Sequence, residues 1–512
     1  MVAATIAAIA SCAGSAAAAQ RPGSTIWTQQ GFPGNSIRAI DGAPDGRAVV
    51  AGMVHPLSTT PYVVWVGAFR PDGTLDPNFG DGGTTTFDDP YRYVVGMVVQ
   101  PDGRILIAET NPYTDPVGSN LLRRLMPDGR PDPTFGVNGE LEPQLPAGNA
   151  ITSLALQPDG HILLGAGTRN PGPVVVARYL AGGAPDPSFG SGGRTVISPG
   201  ADSGPALDLQ PSGGIVMTAR RNNRILVGRL TSTGALDSSF GGGAGLTPVQ
   251  FARPAWADRL SVNLGASAIV LPTGRIRLAV AFAPRGSQVD RSSLVGLTAS
   301  GHPDRRFGNH GLALGGPPLR SADDPGPSDG DEAPSSLVVD QRGGVLVVST
   351  MWTSSDDLSA EARTTIRRFR PDGILDRSFG RNGGVRADGT YAAYTAVEDA
   401  AALVDDDLLV GEHSWNGKYQ SDHSTRLRSL SAGYDDDRPA ISVLAGCRYL
   451  RVRVRDLSAL DAVVVRASGR VVRRTSAKRF RVPLPEAAGR VSVRATDLAG
   501  NTSRKRTRLP HC

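Results

Sequence analysis

Lysine is nearly missing from this chain of 512 residues: Lys418, Lys478 and Lys505 are all there is, so almost every positive charge is an arginine. Cysteine is as scarce, with Cys12, Cys447 and Cys512 only, and no Cys-x-x-Cys occurs. The 7 histidines are scattered without His-x-x-x-His spacing, so the usual zinc patterns are excluded and neither a metal nor a cofactor is expected. Phosphate-loop and dinucleotide fingerprints are absent. The one Gly-x-Ser-x-Gly, at 326–330, lacks the strand before and the helix after that a nucleophile elbow requires. After the N-terminal segment no apolar run is long enough for a membrane-spanning helix.

Glycine, by contrast, is abundant (63 residues), and it falls in a pattern. Residues 69–80 read FRPDGTLDPNFG. Altered copies stand at 125–136 (LMPDGRPDPTFG), 179–190 (YLAGGAPDPSFG), 230–241 (LTSTGALDSSFG), 297–308 (LTASGHPDRRFG) and 369–380 (FRPDGILDRSFG). A second phrase precedes most copies: QPDGRILIA at 100–108, QPDGHILLG at 157–165, QPSGGIVMT at 210–218, LPTGRIRLA at 271–279 and DQRGGVLVV at 340–348, with weaker forms at 43–51 and 404–412. Each Pro-Asp-Gly is turn chemistry. Proline fixes φ at the second position, aspartate tolerates the third, and glycine takes the left-handed conformation that follows. The stretches between are β-branched and aromatic, which predicts strands. The period therefore predicts a four-stranded antiparallel meander of about 50–70 residues, a unit that can bury both sheet faces only by stacking on its neighbours.

Six units carry the full phrase, with Phe79, Phe135, Phe189, Phe240, Phe307 and Phe379 in equivalent places. A seventh begins near Ala400 and lacks a fourth strand. Residues 24–28, ahead of the first unit, are expected to supply it and close the ring. The expected fold class is thus all-β: a seven-bladed β-propeller of four-stranded antiparallel blades over 24–437, followed by a small β-sandwich over 438–512. The phrases resemble the delta-60 repeat family, uncharacterised bacterial β-propellers marked by a PDG turn, Leu-Asp-x-x-Phe-Gly and Gly-Gly. Here these are Pro71-Asp72-Gly73, Leu75-Asp76, Phe79-Gly80 and Gly82-Gly83, although Pro131, Pro185 and Pro303 replace the leucine in three copies. The resemblance implies a fold and no activity. Residues 317–336, PPLRSADDPGPSDGDEAPSS, interrupt the pattern and are expected to form a flexible acidic surface insertion.

Beyond the linker at 434–440 the character changes. Valine alternates with arginine, and Asp497-Leu498-Ala499-Gly500-Asn501 resembles the closing phrase of small bacterial immunoglobulin-like modules. Residues 438–512 hold 18 Lys and Arg against 4 Asp and Glu, net +14, while the remaining 36 basic and 44 acidic residues give net −8. At the other end, 1–19 reads as a secretory signal with Ala17-Ala18-Ala19 before the cut, although no Lys or Arg precedes the apolar run. A rival reading takes Ile9-Ala10-Ser11-Cys12 as a lipobox, with Cys12 lipidated. In an exported chain Cys447 and Cys512 form a disulfide pair or stay as two thiols; the pair is the preferred expectation.

Candidate sites follow from this layout. The repeated aspartates (Asp76, Asp132, Asp186, Asp237, Asp304, Asp376) recur in every unit, so they are expected to serve the unit, accepting backbone N–H bonds in Asx-type turns. Irregular connections after strands two and four are expected to carry binding aromatics: Tyr91, Tyr113, Trp256, Trp352, Trp415 and Tyr419. Arg451, Arg453 and Arg455 alternate with valine and leucine on one strand face, and Arg473 and Arg474, with Arg479, Arg481, Arg504, Lys505 and Arg506, are expected to extend it into a polyanion surface. The function expected is a secreted or cell-surface binding and scaffold protein contacting an envelope polysaccharide or surface protein. Nucleic acid is not expected, since little aromatic interleaving accompanies the arginines. The alternative is an extracellular lyase or glycoside hydrolase with its site in the central funnel.

Overall fold

In the computed structural model of the chain the described residues are 25–30, 36–54, 63–88, 92–111, 119–168, 171–222, 224–249, 257–261, 268–284, 291–315, 331–353, 361–380, 383–386, 395–396, 401–404, 407–415, 423–431, 439–445, 449–455, 460–484, 490–497 and 501–508. All of their regular structure is β. Two compact units result, Thr25–Ala432 and one holding Gly433–Cys512.

The first unit is a succession of antiparallel sheets, each a meander. Sheet one is Ser36–Gly42, Ala48–Val54, Val63–Phe69 and Thr84–Asp88, paired in that order. Sheets two to six repeat the scheme from Tyr93, Ala150, Ala206, Ala257 and Asp331 onward. In sheet seven, Asp407–Trp415 and His423–Ser431 follow the short strands Thr395–Ala396 and Ala401–Val404, and the outer strand is Thr25–Gln30, antiparallel to His423–Ser431 with Trp27 opposite Ser429. The first strand of each sheet packs against that of the next, and Ala401–Val404 packs against Ser36–Gly42 of sheet one. This is an all-β, propeller-like architecture.

One joint repeats between successive sheets. Phe79, Phe135, Phe189, Phe240, Phe307 and Phe379 are all fully buried. Phe79 of sheet one, for example, packs with Val94, Ile105 and Leu125 of sheet two. Its ring lies over Gly129, in the turn after the third strand of sheet two. Gly129 has φ +83°, and a Cβ there would stand 2.7 Å from the Phe79 ring, so only glycine fits. The next residue, Gly80, donates its N–H to the Asp128 carbonyl at 2.8 Å. The same bond links Gly190 to Thr233 (2.8 Å), Gly241 to Ser300 (3.0 Å) and Gly308 to Asp372 (2.7 Å).

Beneath five of these rings, those of Phe135, Phe189, Phe240, Phe307 and Phe379, lies an ion pair that the repeat phrase alone does not reveal. Eight residues before the aspartate, on the third strand, an arginine donates Nε to the carboxylate: Arg124 to Asp132 (2.7 Å), Arg178 to Asp186 (2.7 Å), Arg229 to Asp237 (2.8 Å) and Arg368 to Asp376 (2.8 Å). The guanidinium stacks on the phenylalanine, 4.5 Å from the Phe135 centroid and 4.6 Å from that of Phe189. Arg124 and Arg229 also donate to the Ala181 and Ala299 carbonyls of the following sheet, at 2.6 and 2.8 Å. Two sheets lack the arginine, having Ala68 and Gly296 there. Each recruits one from the preceding strand pair: Arg47 reaches Asp76 at 2.9 Å, and Arg277, cross-strand from Gly296, lies 3.5 Å from Asp304 and 4.0 Å from the Phe307 centroid. Burial, above all, pulls the Arg277 pKa down to about 10.

The aspartates also accept the N–H two residues on, Asp132 from Thr134 at 2.9 Å and Asp186 from Ser188 at 2.9 Å, as Asx turns do. Burial alone would raise their pKa. The hydroxyl and N–H bonds from Thr134 or Ser188, together with the facing arginine, outweigh it and hold both below the ordinary carboxylate value, and Asp76 and Asp237 are held below it as well.

Two sequence expectations need correction. Residues 331–336 are not part of a flexible insertion: Asp331–Val339 is the first strand of sheet six, and Glu332 is buried, its Oε2 accepting from Arg367 Nε at 3.0 Å and from the Ser292 N–H of sheet five at 3.0 Å. A buried Arg367 requires a buried anion, and that requirement draws an acidic residue inward. Trp352 and Trp415 are strand residues rather than loop residues. Trp352 is the next-to-last residue of the long second strand of sheet six and Trp415 the last of that of sheet seven, opposite Asp331 and His423. Tyr91, Tyr113, Trp256 and Tyr419 lie outside the described residues.

Phe189→Ala is expected to cost about 3–5 kcal/mol, measured by denaturant unfolding, since a buried ring and its stacked guanidinium are lost together. Because Asp76, Asp132, Asp186 and Asp237 have folded pKa values below the unfolded value of about 3.9, the stability they supply is complete above that pH and is lost as pH falls below it. Circular dichroism melting curves should therefore show Tm dropping steeply below about pH 4.

Candidate polyanion-binding surface

The second unit consists of a three-stranded sheet, Ala440–Ala445, Tyr449–Arg455 and Arg479–Pro483, and a four-stranded one in the order Arg470–Thr475, Leu460–Ala467, Arg490–Asp497, Thr502–Arg508. They share one hydrophobic cluster, in which Leu450, Val452, Val454 and Val482 of the first sheet meet Val463, Val465, Val491 and Val493 of the second. Burying alternate residues turns the others outward. Along Tyr449–Arg455 the alternation is strict: Leu450, Val452 and Val454 are buried while Arg451, Arg453 and Arg455 are exposed. The loop joining the last two strands is closed by Asp497, which accepts from the Asn501 N–H (2.7 Å) and Nδ2 (2.9 Å).

Register decides which arginines share a face. Arg451 lies opposite Arg481, and Arg453 opposite Arg479. Directly opposed residues point the same way, so Arg451, Arg453, Arg455, Arg479 and Arg481 form one exposed array, about 5 Å apart across strands and about 7 Å along them. Tyr449 closes one end, with the Arg481 guanidinium 3.6 Å and that of Arg451 5.6 Å from its ring centroid. Exposed Leu444 stands opposite Arg451. An open groove of about 510 Å³ runs between these side chains. Among the described residues no carboxylate pairs with any of the five. The pKa of Arg453 is lowered, first by the positive charges of Arg455 and Arg479, the sign of repulsion without compensation.

The expectation that Arg473 and Arg474 extend this face is corrected: they lie on Arg470–Thr475, which pairs with Leu460–Ala467 in the other sheet, and Arg504, Lys505 and Arg506 are in that sheet too. Two packed sheets can take neighbouring strands in turn, so nearness in sequence does not assign an arginine to a sheet. Arg479 and Arg481 do join the array. Cys447 and Cys512, with Cys12, lie outside the described residues. Among the described residues no cluster of three potential metal ligands occurs, and no helix is long and apolar enough to cross a membrane.

In the first unit, the acidic groups of the first strands stand out. Asp41 of sheet one accepts from the Val99 N–H of sheet two, and Asp208 of sheet four from the Val270 N–H of sheet five, at 2.8 and 2.6 Å. Each also accepts the N–H of the residue that follows it. Burial nevertheless raises both pKa values.

Residues 100–135 and 157–189 match a family described as "Domain of unknown function (DUF5122) beta-propeller". Each segment runs from the first-hairpin glutamine to the joint phenylalanine of one sheet, in accord with the delta-60 resemblance. No curated protein matches the sequence. Similar solved structures include polysaccharide lyase Uly1 (TM-score 0.40, 11% identity, 78% of this chain and 90% of that one) and Drosophila Semaphorin 1b, extracellular domains 1-2 (0.38, 11%, 81% and 88%). Prolyl oligopeptidase B from Galerina marginata is another (0.38, 11%, 83% and 57%). Likenesses at this level say nothing about activity.

Arg453→Gln is expected to leave the circular dichroism spectrum unchanged and to raise Tm, more at low than at high salt, because it removes the most crowded charge of an unpaired array.

Proposed function

We propose that this is a secreted or cell-surface binding and scaffold protein: a closed seven-bladed propeller carrying an immunoglobulin-like sandwich that holds it to anionic envelope polymers. The observation that carries the reading is the array of Arg451, Arg453, Arg455, Arg479 and Arg481 on one exposed face without a carboxylate partner among the described residues. A folded domain gains nothing in stability from such crowding, whereas a polyanion laid across it releases its own counterions and relieves the repulsion. Guanidinium groups suit phosphate and carboxylate alike through paired N–H donors. Ring closure is supported by the return of Ala401–Val404 to Ser36–Gly42 and by Thr25–Gln30 completing sheet seven. Trp65, fully buried with Leu409 and Leu427, fills the joint where sheet seven has no phenylalanine phrase. The propeller in this reading presents its irregular rim to a carbohydrate or protein partner. Binding is preferred to a funnel enzyme because Asp41 and Asp208 are engaged by backbone N–H groups of neighbouring first strands.

The test is retention of the full chain on isolated bacterial cell wall across a salt gradient. For five phosphate-type contacts, affinity should fall on the order of a hundredfold as salt rises fourfold. The double charge reversal R453E/R479E should elute at a far lower salt concentration. Equal retention of the variant and the parent would refute the assignment.

A further inference from the structure

The four-stranded sheet of the same unit has an outward face as well, and its composition is the same in kind. Val463, Val465, Val491, Val493 and Ala495 turn into the shared core, which sends Arg466, Arg490 and Arg494 outward. Register adds the edge strands: Arg494 lies opposite Arg504, Ser492 opposite Arg506, and Val464 opposite Arg474. Arg490, Arg494, Arg504 and Arg506 are exposed, and among the described residues none is in an ion pair. A second open groove, of about 610 Å³, lies among Arg466, Arg490, Arg504 and Arg506. Asp497, the acid of this unit whose side chain is described, is buried and bonded to Asn501, so it neutralises neither face.

A core shared by two sheets puts their outward faces on opposite sides. From this we propose that the C-terminal unit is a two-faced cross-bridge, binding one chain of a linear polyanion on the Arg451–Arg455 side and a second on the Arg494–Arg504 side. This rests on the polyanion reading above and goes beyond it. A single basic face tethers the protein, whereas two opposed faces join polymer strands. One short chain cannot run from one face to the other without passing round the sheet edge, so the faces act as independent sites. On a long polymer network they act together, with the gain in avidity that linked sites confer.

The experiment uses the full chain with two probes, a short size-defined inorganic polyphosphate and a long one, and repeats both with polyglutamate to separate phosphate from carboxylate as the recognised group. Calorimetry should give two short chains per protein, and the long polymer should turn turbid on mixing and clear on adding salt. R453E/R479E and R494E/R504E should each keep the circular dichroism spectrum, bind one short chain, and fail to cross-link the long polymer. If a charge reversal disturbs folding, the glutamine pairs R453Q/R479Q and R494Q/R504Q give the same readout. One short chain per parent protein, or one face whose replacement changes nothing, would overturn the cross-bridge and leave the polyanion reading standing. No binding of either polymer by the parent would overturn both.

Discussion

A carboxylate that is out of water yet still ionised sets the terms for the larger unit. Asp76, Asp132, Asp186, Asp304 and Asp376 are buried and Asp237 is half-buried, so each needs its charge met within the sheet. The chain meets it with an arginine on the third strand and with the N–H of a turn that the aspartate itself shapes. The arginine is then fixed in place, and its flat face becomes the floor for a phenylalanine that must be covered from the other side. The cover is the next sheet's glycine turn. One desolvated charge thus specifies the turn, the rotamer above it and the separation of neighbouring sheets.

The exceptions make the requirement visible. Where the third strand offers Ala68 or Gly296, no sheet goes without a cation; Arg47 and Arg277 come from elsewhere to the same carboxylate. The position is free to vary while the charge balance is not. Glu332 and Arg367 follow the same rule in a different place, where a buried arginine draws a glutamate into a strand out of a stretch whose composition suits a solvated loop.

The smaller unit follows the opposite rule. The buried hydrophobic residues of its core are aliphatic, with Phe480 packed against them, and Arg451, Arg453, Arg455, Arg479, Arg481, Arg490 and Arg494 all stand outside. Arg124, Arg178 and Arg368 of the first unit are buried structural partners, whereas Arg451, Arg453, Arg479 and Arg481 of the second are surface charges without a carboxylate among the described residues. A composition that counts arginines cannot tell these roles apart; the nearest carboxylate does.

The sequence alone carried the repeat, the strand-and-turn rhythm, the burial of the phenylalanines, the structural service of the aspartates and the alternation that exposes Arg451, Arg453 and Arg455. These are local properties, written in spacings of two residues along a strand and a few residues around a turn. The arginine eight residues before each aspartate was present in the same text, but nothing local marks it as a partner, because the pairing is made across a turn that must first fold. Which strands share a sheet was beyond reach for the same reason: Arg479 joins Arg453, and Arg474 does not, through a register set by long-range packing of two sheets on one core. Tertiary structure alone decided that Trp352 and Trp415 are strand residues, that Glu332 is buried, and that the basic charge of the second unit is divided between two opposite faces, since each depends on what lies across a sheet and not along a chain.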